Sequence, residues 1–446
     1  MADRLTATGV LLVGGASERF GSPKALASFR GEPLGDHAWR TLGAVCDEVI
    51  AVGKADGVEL AFPVVDDGTS EYAAVFGVIT GLRAATHETC LVLPVDTPLV
   101  TPSLLHELVA AKAIPQTGPL PGVYTKAMLP ELESRVGRGE LALRGLNPAL
   151  LEVDDKLLVN VNTRMDLLAA AIADWARERD DVRAVVVVDS QARTDTPADR
   201  WSDLDAVLFV DDPSRLVDDE HWVGEFGTPV LTFLEPTAIG ERIERRVLYE
   251  HGEDVDFPLV AAAKWRDLLP TATIVLGRGY SVLYDELGIE DALQELEPPP
   301  PPSVPDSAAF RQLASDFWYH ALWTAKKLRR GEVYIAIGCL DGYLKDRLVT
   351  LLEWHALAVD PTVDTWHDGR YLERWADAGA LAALERAYAH YDLRDVARAL
   401  WETIDLFQGL EEETSRRLGL ATELDHADLR RRVTAVVRDP RHGATL

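Results

Sequence analysis

Between residues 8 and 175, short apolar runs alternate with stretches of helical periodicity. Gly9 to Val13, Glu48 to Val52, Thr89 to Val95 and Leu157 to Val161 each read as a buried strand. Strands separated by helices predict an α/β domain with a mainly parallel sheet. A second set of apolar runs follows at Arg183 to Val188, Leu204 to Val210 and Thr228 to Leu234. Next, Arg246 to Tyr249 and Asp254 to Val260 flank His251-Gly252-Glu253, the pattern of an antiparallel hairpin, so this second region reads as α+β. Five consecutive prolines, Pro298 to Pro302, offer no backbone donors and favour extended chain, which marks a boundary. Beyond them Phe310, Leu313, Phe317 and Ala321 recur at helical spacing, as do residues in Asp341 to Trp354 and Leu393 to Leu406, predicting a C-terminal helical bundle. The expected domains are residues 1–175, 180–297 and 298–446.

Composition narrows the class. At 446 residues, 47% hydrophobic and 26% charged, the chain is long enough for two or three packed domains. No apolar stretch approaches the roughly 20 residues that span a bilayer, and no signal-peptide pattern opens the chain, so a cytoplasmic protein without membrane partners is expected. Cys46, Cys90 and Cys339 lie far apart and read as plain thiols. A formal net charge of -28, from 73 acidic and 45 basic residues, argues against nucleic-acid binding, and reads either as solubility alone or as attraction for a cationic small substrate.

Candidate chemistry falls in two places. Directly after the first strand, Gly14, Gly15, Ser17, Arg19, Gly21 and Lys24 form a glycine-rich loop closed by a cation. Glycines let backbone N–H groups approach a triphosphate, and Arg19 and Lys24 neutralise it; taken alone, the same residues also describe a plain strand-to-helix turn. Asp96, in Leu93-Pro94-Val95-Asp96-Thr97-Pro98, ends another apolar strand, where ligands of open α/β sheets gather, and is placed to hold Mg²⁺. Asn160 and Asn162 end a third. These segments, in this order, resemble the MobA-like NTP transferases, the molybdenum cofactor guanylyltransferases and their cytidylyl relatives. That resemblance implies a Rossmann-like (GT-A-like) fold, a nucleotide on the Gly14 to Lys24 loop, Mg²⁺ on Asp96 and Asn162, GTP or CTP as donor, and a molybdopterin-like acceptor. It also implies a late strand at Leu120 to Tyr124 and a helix at Met128 to Val136. Tyr72 to Gly77 stands where the family has Gly-Pro-Leu-x-Gly and keeps only Gly77, which leaves the base and the acceptor open.

The second place is Asp203-Leu204-Asp205, at the start of a strand. Residues two apart on a strand share a face, and two carboxylates aimed together favour a cation between them. Asp256 on the downstream hairpin adds a third. An apolar strand, Asp189-Ser190, then Arg193, Thr194 and Asp195, then Trp201-Ser202-Asp203-Leu204-Asp205 resembles the DNA polymerase beta-like nucleotidyltransferases, and in particular the aminoglycoside 6-adenylyltransferases. Asp316-Phe317-Trp318, Ala325 to Leu328, Leu351 to His355 and Gly369 to Leu372 extend that likeness. It implies that Asp203, Asp205 and Asp256 are the metal and catalytic carboxylates. It further implies that Ser190 and Arg193 meet ATP, and that the acidic and aromatic helical residues face an aminoglycoside such as streptomycin.

Asp189 stands where that family has glycine, adding a side chain and a charge beside polyphosphate. Two readings follow: the turn tolerates aspartate and both halves transfer NMP with release of pyrophosphate, or one half is a catalytically degenerate nucleotide-binding or regulatory module. Trp318, Trp354, Trp375, His320 and His355 read first as packing residues. Glu353, Asp364 and Asp368 read equally as a solvated helix end or as contacts to a cationic drug, and Arg430 to Arg432 as a solvated tail.

Overall fold

The computed structural model describes residues 4–14, 20, 23–54, 60–146, 149–193, 196–237, 243–297, 302–365 and 368–438. The chain divides into two compact units, Met1–Pro299 and Pro300–Leu446. Among the described residues no helix is long and apolar enough to cross a membrane.

The first unit contains two sheets. Strand β1 (Leu5–Leu12) is followed by a small ribbon, β2 (Ser28–Phe29) with β3 (Glu32–Pro33), then α1 (Leu34–Gly43), β4 (Cys46–Gly53), β5 (Val64–Asp66), α2 (Ala74–Ala84), β6 (Thr89–Pro94) and α3 (Pro102–Ala111). Short β7 (Ile114–Pro115) pairs with β9 (Leu150–Leu151), and between them lie β8 (Gly122–Thr125) and α4 (Leu129–Gly137). The sheet order is β5-β4-β1-β6-β8, parallel except for β8 against β6. Thr8 to Leu12 on β1 pairs with both β4 and β6, and Val10 and Leu11 are fully buried, as a strand covered on both faces requires.

One expected strand is absent. Asp155–Leu158 forms a 3₁₀ turn capped by the Asp154 carboxylate, which accepts from the Lys156 N–H at 3.0 Å. Val159 to Asn162 then runs outside any ladder, although the Val161 N–H donates to the Asp96 carbonyl at 2.8 Å. Local capping overrides the apolar run here, and the segment still lands beside Asp96.

Helix α5 (Arg164–Arg177) starts with a capping box between Thr163 and Asp166. Its buried face (Leu167, Leu168, Ala171, Ile172, Trp175) joins one apolar core with Leu91 and Leu93 of the first sheet and Val185, Val187 and Leu208 of the second. Trp175 stacks on Trp222 with ring centroids 5.6 Å apart, and Phe226 meets it edge-on.

The second sheet comprises β10 (Val182–Val188), β11 (Leu204–Val210), β12 (Pro229–Pro236), β13 (Ile243–Tyr249), β14 (Asp254–Ala261) and β15 (Tyr280–Asp285). Helices α6 (Pro213–Asp218), α7 (Trp265–Leu276) and α8 (Ile289–Gln294) accompany it. Its order is β12-β13-β14-β11-β10-β15, mixed, with only β11 and β14 parallel. The β13-β14 hairpin turns through Gly252 at φ +93, a conformation glycine permits.

The second unit consists of α9 (Ser307–Arg329), α10 (Val333–Ile337), a π-helical turn at Gly338–Tyr343, α11 (Leu344–Val359), α12 (Leu372–Trp375), α13 (Ala378–Arg386), α14 (Leu393–Leu418) and α15 (His426–Arg438). Asp306 caps α9 by accepting from the Ala309 N–H at 2.7 Å. Phe310, Leu313, Phe317 and Ala321 are buried at the spacing the sequence shows, and Phe317 stacks on Phe407 of α14 at 3.6 Å.

Candidate functional sites

At the first sheet, β1 and β4 end side by side. A Cβ added to Gly53 would stand 2.7 Å from the Gly14 backbone nitrogen, so the two strand ends meet at a separation only glycines allow. Gly14 and Lys24 line a cavity of ≈ 450 Å³ together with Asp96, Thr97 and Asn160. The Lys24 ammonium donates to Asp96 Oδ2 at 3.1 Å and to Asn162 Oδ1 at 3.1 Å. Two oxygens from distant segments thus converge on one positive charge, which fits the hard-oxygen set that a divalent cation takes. Gly15, Ser17, Arg19 and Gly21 lie outside the described residues.

Sequence reasoning passed over Lys54 and Asp67, which line this cavity beside Tyr72 of the divergent Tyr72 to Gly77 segment. The Lys54 ammonium donates to Asp67 at 2.5 Å and sits 5.5 Å from the Tyr72 ring centroid. The only signal was their position just past strand ends, shared by many loop residues. Gly77 has a packing reason, because a Cβ there would stand 2.7 Å from Leu12 Cδ2.

At the second sheet, the register places Asp205 opposite both Val188 and Asp256, with Arg246 opposite Asp256. Directly opposed residues share a face, so Asp205, Asp256 and Arg246 project together, and Asp203 joins them. One carboxylate oxygen from each of Asp203, Asp205 and Asp256 lies within 4.8 Å of the others. Asp205 Oδ2 is buried without a hydrogen-bond partner. Burial, then the charges of Asp203, Asp256 and Asp189, push the Asp205 carboxyl up to about 8. Burial likewise raises Asp256 to about 6, against the opposing pull of Arg246, whose Nη1 is 3.3 Å from Asp256 Oδ2. An orphaned buried oxygen among crowded carboxylates is what a divalent cation would relieve, so the residues fit Mg²⁺.

Asp189 adopts φ +52, in the left-handed region that favours glycine. The Ser190 hydroxyl donates to the Asp203 carbonyl at 2.9 Å, bracing the carboxylate strand, and is buried. Arg193 is almost wholly buried, its Nε 3.6 Å from Asp189 Oδ1. Gly279, at φ +140, makes this turn possible, since a Cβ there would stand 2.2 Å from the Ala192 carbonyl oxygen. Thr194 and Asp195 lie outside the described residues. Arg246, Glu244 and Glu235, charged residues on the same face, were not singled out from sequence.

In the second unit, Trp318 and His355 are buried, in keeping with packing. Trp375 donates to the Arg370 carbonyl at 2.9 Å, and His320 is 2.8 Å from Asp316. Burial, with the nearby Asp368 charge, raises the Glu353 carboxyl to about 7.

Comparison with known proteins gives two matches that divide the chain. Residues 163–435 match the family described as Streptomycin adenylyltransferase, and residues 9–146 match the MobA-like NTP transferase domain. A molybdenum cofactor guanylyltransferase of Pseudomonas putida is 33% identical over 157 residues, covering 32% of this chain and 81% of that protein. An aminoglycoside 6-adenylyltransferase of Bacillus subtilis is 20% identical over 256 residues, covering 55% of this chain and 88% of that protein. The crystal structure of a Bacillus subtilis aminoglycoside 6-adenyltransferase covers 61% of this chain and 98% of its own at 16% identity, with a TM-score of 0.30.

Proposed function

The chain belongs to the streptomycin adenylyltransferase family and carries a MobA-like NTP transferase domain, and from that premise we propose that it holds two separate NMP-transfer sites. The C-terminal half adenylylates a hydroxyl of an aminoglycoside such as streptomycin. The N-terminal half transfers GMP or CMP to a molybdopterin-like acceptor.

The observation that carries the first assignment is the trio Asp203, Asp205 and Asp256 around an orphaned buried oxygen. Mg²⁺, held by Asp203 and Asp205, would neutralise the triphosphate and polarise the α-phosphorus. The acceptor oxygen bonds to that phosphorus while the bond from it to the oxygen bridging to the β-phosphate breaks. Pyrophosphate departs with the electron pair, and the hydroxyl proton passes to Asp256. Ser190 keeps the carboxylate strand in place through its bond to Asp203, and Arg193 supplies positive charge at the phosphate turn. The formal charge of -28 favours a cationic drug as acceptor. In the N-terminal half, Lys24 and the Gly14 loop meet the phosphates, and Asp96 and Asn162 would hold the metal.

A second reading has one observation in its favour: the charge of Asp189 at the phosphate turn suits a C-terminal half that holds nucleotide without turnover. Labelled ATP, Mg²⁺ and streptomycin decide between them. Labelled drug and pyrophosphate are expected from the wild type and from Asp96→Ala, and neither from Asp203→Ala. No labelled drug from the wild type, while a control adenylyltransferase works, would overturn the transfer reading. GTP or CTP with molybdopterin should give the reverse pattern of variant sensitivity.

A further inference from the structure

On the face of the second sheet that carries the carboxylates, an apolar chamber of ≈ 210 Å³ lies beneath α7 and α8. Its floor includes Val188, Val207 and Pro258, and its roof Trp265 and Leu269. The register fixes its distance from the carboxylates. Val188 is paired with Asp205, Val207 is two residues along β11 from Asp205, and Pro258 is two along β14 from Asp256. The chamber therefore begins one side-chain row, roughly 7 Å, from the three carboxylates and on their side of the sheet. Glu244, paired with Pro258, also lines it and is buried; its Oε1 accepts from Arg246 Nε at 3.0 Å and Nη2 at 2.9 Å. A carboxylate has about four acceptor positions, so capacity for another donor remains.

An apolar cavity of about 150 Å³ takes up benzene, and voids larger than a water molecule are few in a close-packed interior. An apolar cavity of this size with one carboxylate in its lining matches a ring that is hydrophobic on both faces and donates N–H from its rim. We infer that this chamber seats the base of the donor nucleotide, with Glu244 accepting from the exocyclic amine of adenine and the ribose spanning the row to the carboxylates. The inference rests on the reading of this site as a nucleotidyltransferase centre and adds where the base is held.

The test is binding, read by calorimetry and by tryptophan fluorescence, with Mg²⁺ and α,β-methylene-ATP. The wild type should bind this analogue ~10 to 100-fold more tightly than the corresponding purine riboside analogue, which lacks the amine. The ATP analogue should quench a fluorescence component that Trp265→Phe lacks, and inorganic triphosphate should not. Val207→Trp, which fills the chamber, should weaken analogue binding at least ~10-fold while leaving inorganic triphosphate binding unchanged. Equal binding of the two analogues, or of inorganic triphosphate and nucleotide, at the site that Asp203→Ala removes overturns the inference. Streptomycin adenylylation by Val207→Trp with an unchanged KM for ATP also overturns it and leaves the transfer reading standing. Base-dependent binding and quenching without transfer to any aminoglycoside supports the chamber and removes the transfer reading instead.

Discussion

Replacing Asp189 by asparagine or glycine separates the two penalties of its turn. At φ +52 a non-glycine residue costs of the order of 1 kcal/mol, less for aspartate and asparagine, whose short side chains bond locally. The larger effect is charge. A carboxylate ~8 Å from a phosphate charge, at an effective dielectric of ~20, is unfavourable by roughly 2 kcal/mol. Opposing both is Arg193, whose Nε is 3.6 Å from Asp189 Oδ1 and whose side chain is 3% exposed. Deleting the carboxylate takes a counter-charge from a buried guanidinium, a loss of order 1–3 kcal/mol.

Without nucleotide the loss outweighs the backbone relief, so Asp189→Gly should be less stable than wild type by ~1 kcal/mol. With nucleotide the guanidinium turns to the triphosphate, and affinity for Mg²⁺ and α,β-methylene-ATP should rise ~10-fold, or ~1.4 kcal/mol. Asp189→Asn keeps an acceptor for Arg193 and the tolerated backbone, so it should show the affinity gain with a smaller loss of stability than a change that removes the acceptor as well as the charge. Thermal unfolding without nucleotide and calorimetric titration with the analogue read the two effects separately. If Asp189→Asn binds the analogue no more tightly than wild type, the electrostatic account of this turn is wrong.

Three further outcomes are expected. Asp205→Asn should raise the melting temperature in the absence of metal, because it removes the most strongly desolvated of three crowded carboxylates, and should reduce the Mg²⁺-dependent thermal shift to the part owed to Asp96 and Asn162; an undiminished shift means that Asp205 holds no metal. Gly81→Ala, ordinarily worth up to ~1 kcal/mol in a helix, should instead destabilise by ~1–3 kcal/mol, since the new Cβ would stand 2.4 Å from Val10 Cγ1; denaturant titration should show Val10→Ala reversing part of the loss. The Glu353 carboxyl is raised from 4.5 to about 7, so the folded state holds a proton that the unfolded state has released. The stability this lends should be full below about pH 4.5 and decline as the pH rises to about 7. Thermal unfolding between pH 5 and 8 should show that slope diminished in Glu353→Gln, and an identical slope would refute the assignment.

Much of this arrangement was legible along the chain because its signals are local. The alternation that marks Gly9 to Val13 or Leu204 to Val210 needs only neighbouring residues, and an Asp-x-Asp pair on a strand shares a face by geometry alone. Capping chemistry was local too, yet it defeated the strand expected at Leu157 to Val161, where the Asp154 carboxylate turns the backbone before a ladder forms. The glycine-rich loop and Asp96 were identified by residue type and order, while Lys54 and Asp67 offered no comparable pattern.

Sequence by itself pointed to two candidate centres and to the order of the strands and helices that carry them, since each depends on short-range periodicity or on residue type. Tertiary structure alone decided what surrounds them. It set Arg246 against Asp256 by strand register, packed Gly279 beneath the Asp189 turn, and threaded one core through α5 between the two sheets. It also left the Asp205 oxygen without a partner and closed α7 and α8 over the apolar rows beside it. The physical reason is range: register, burial and the field at a carboxylate are sums over residues far apart in the chain, and those sums exist only once it has folded.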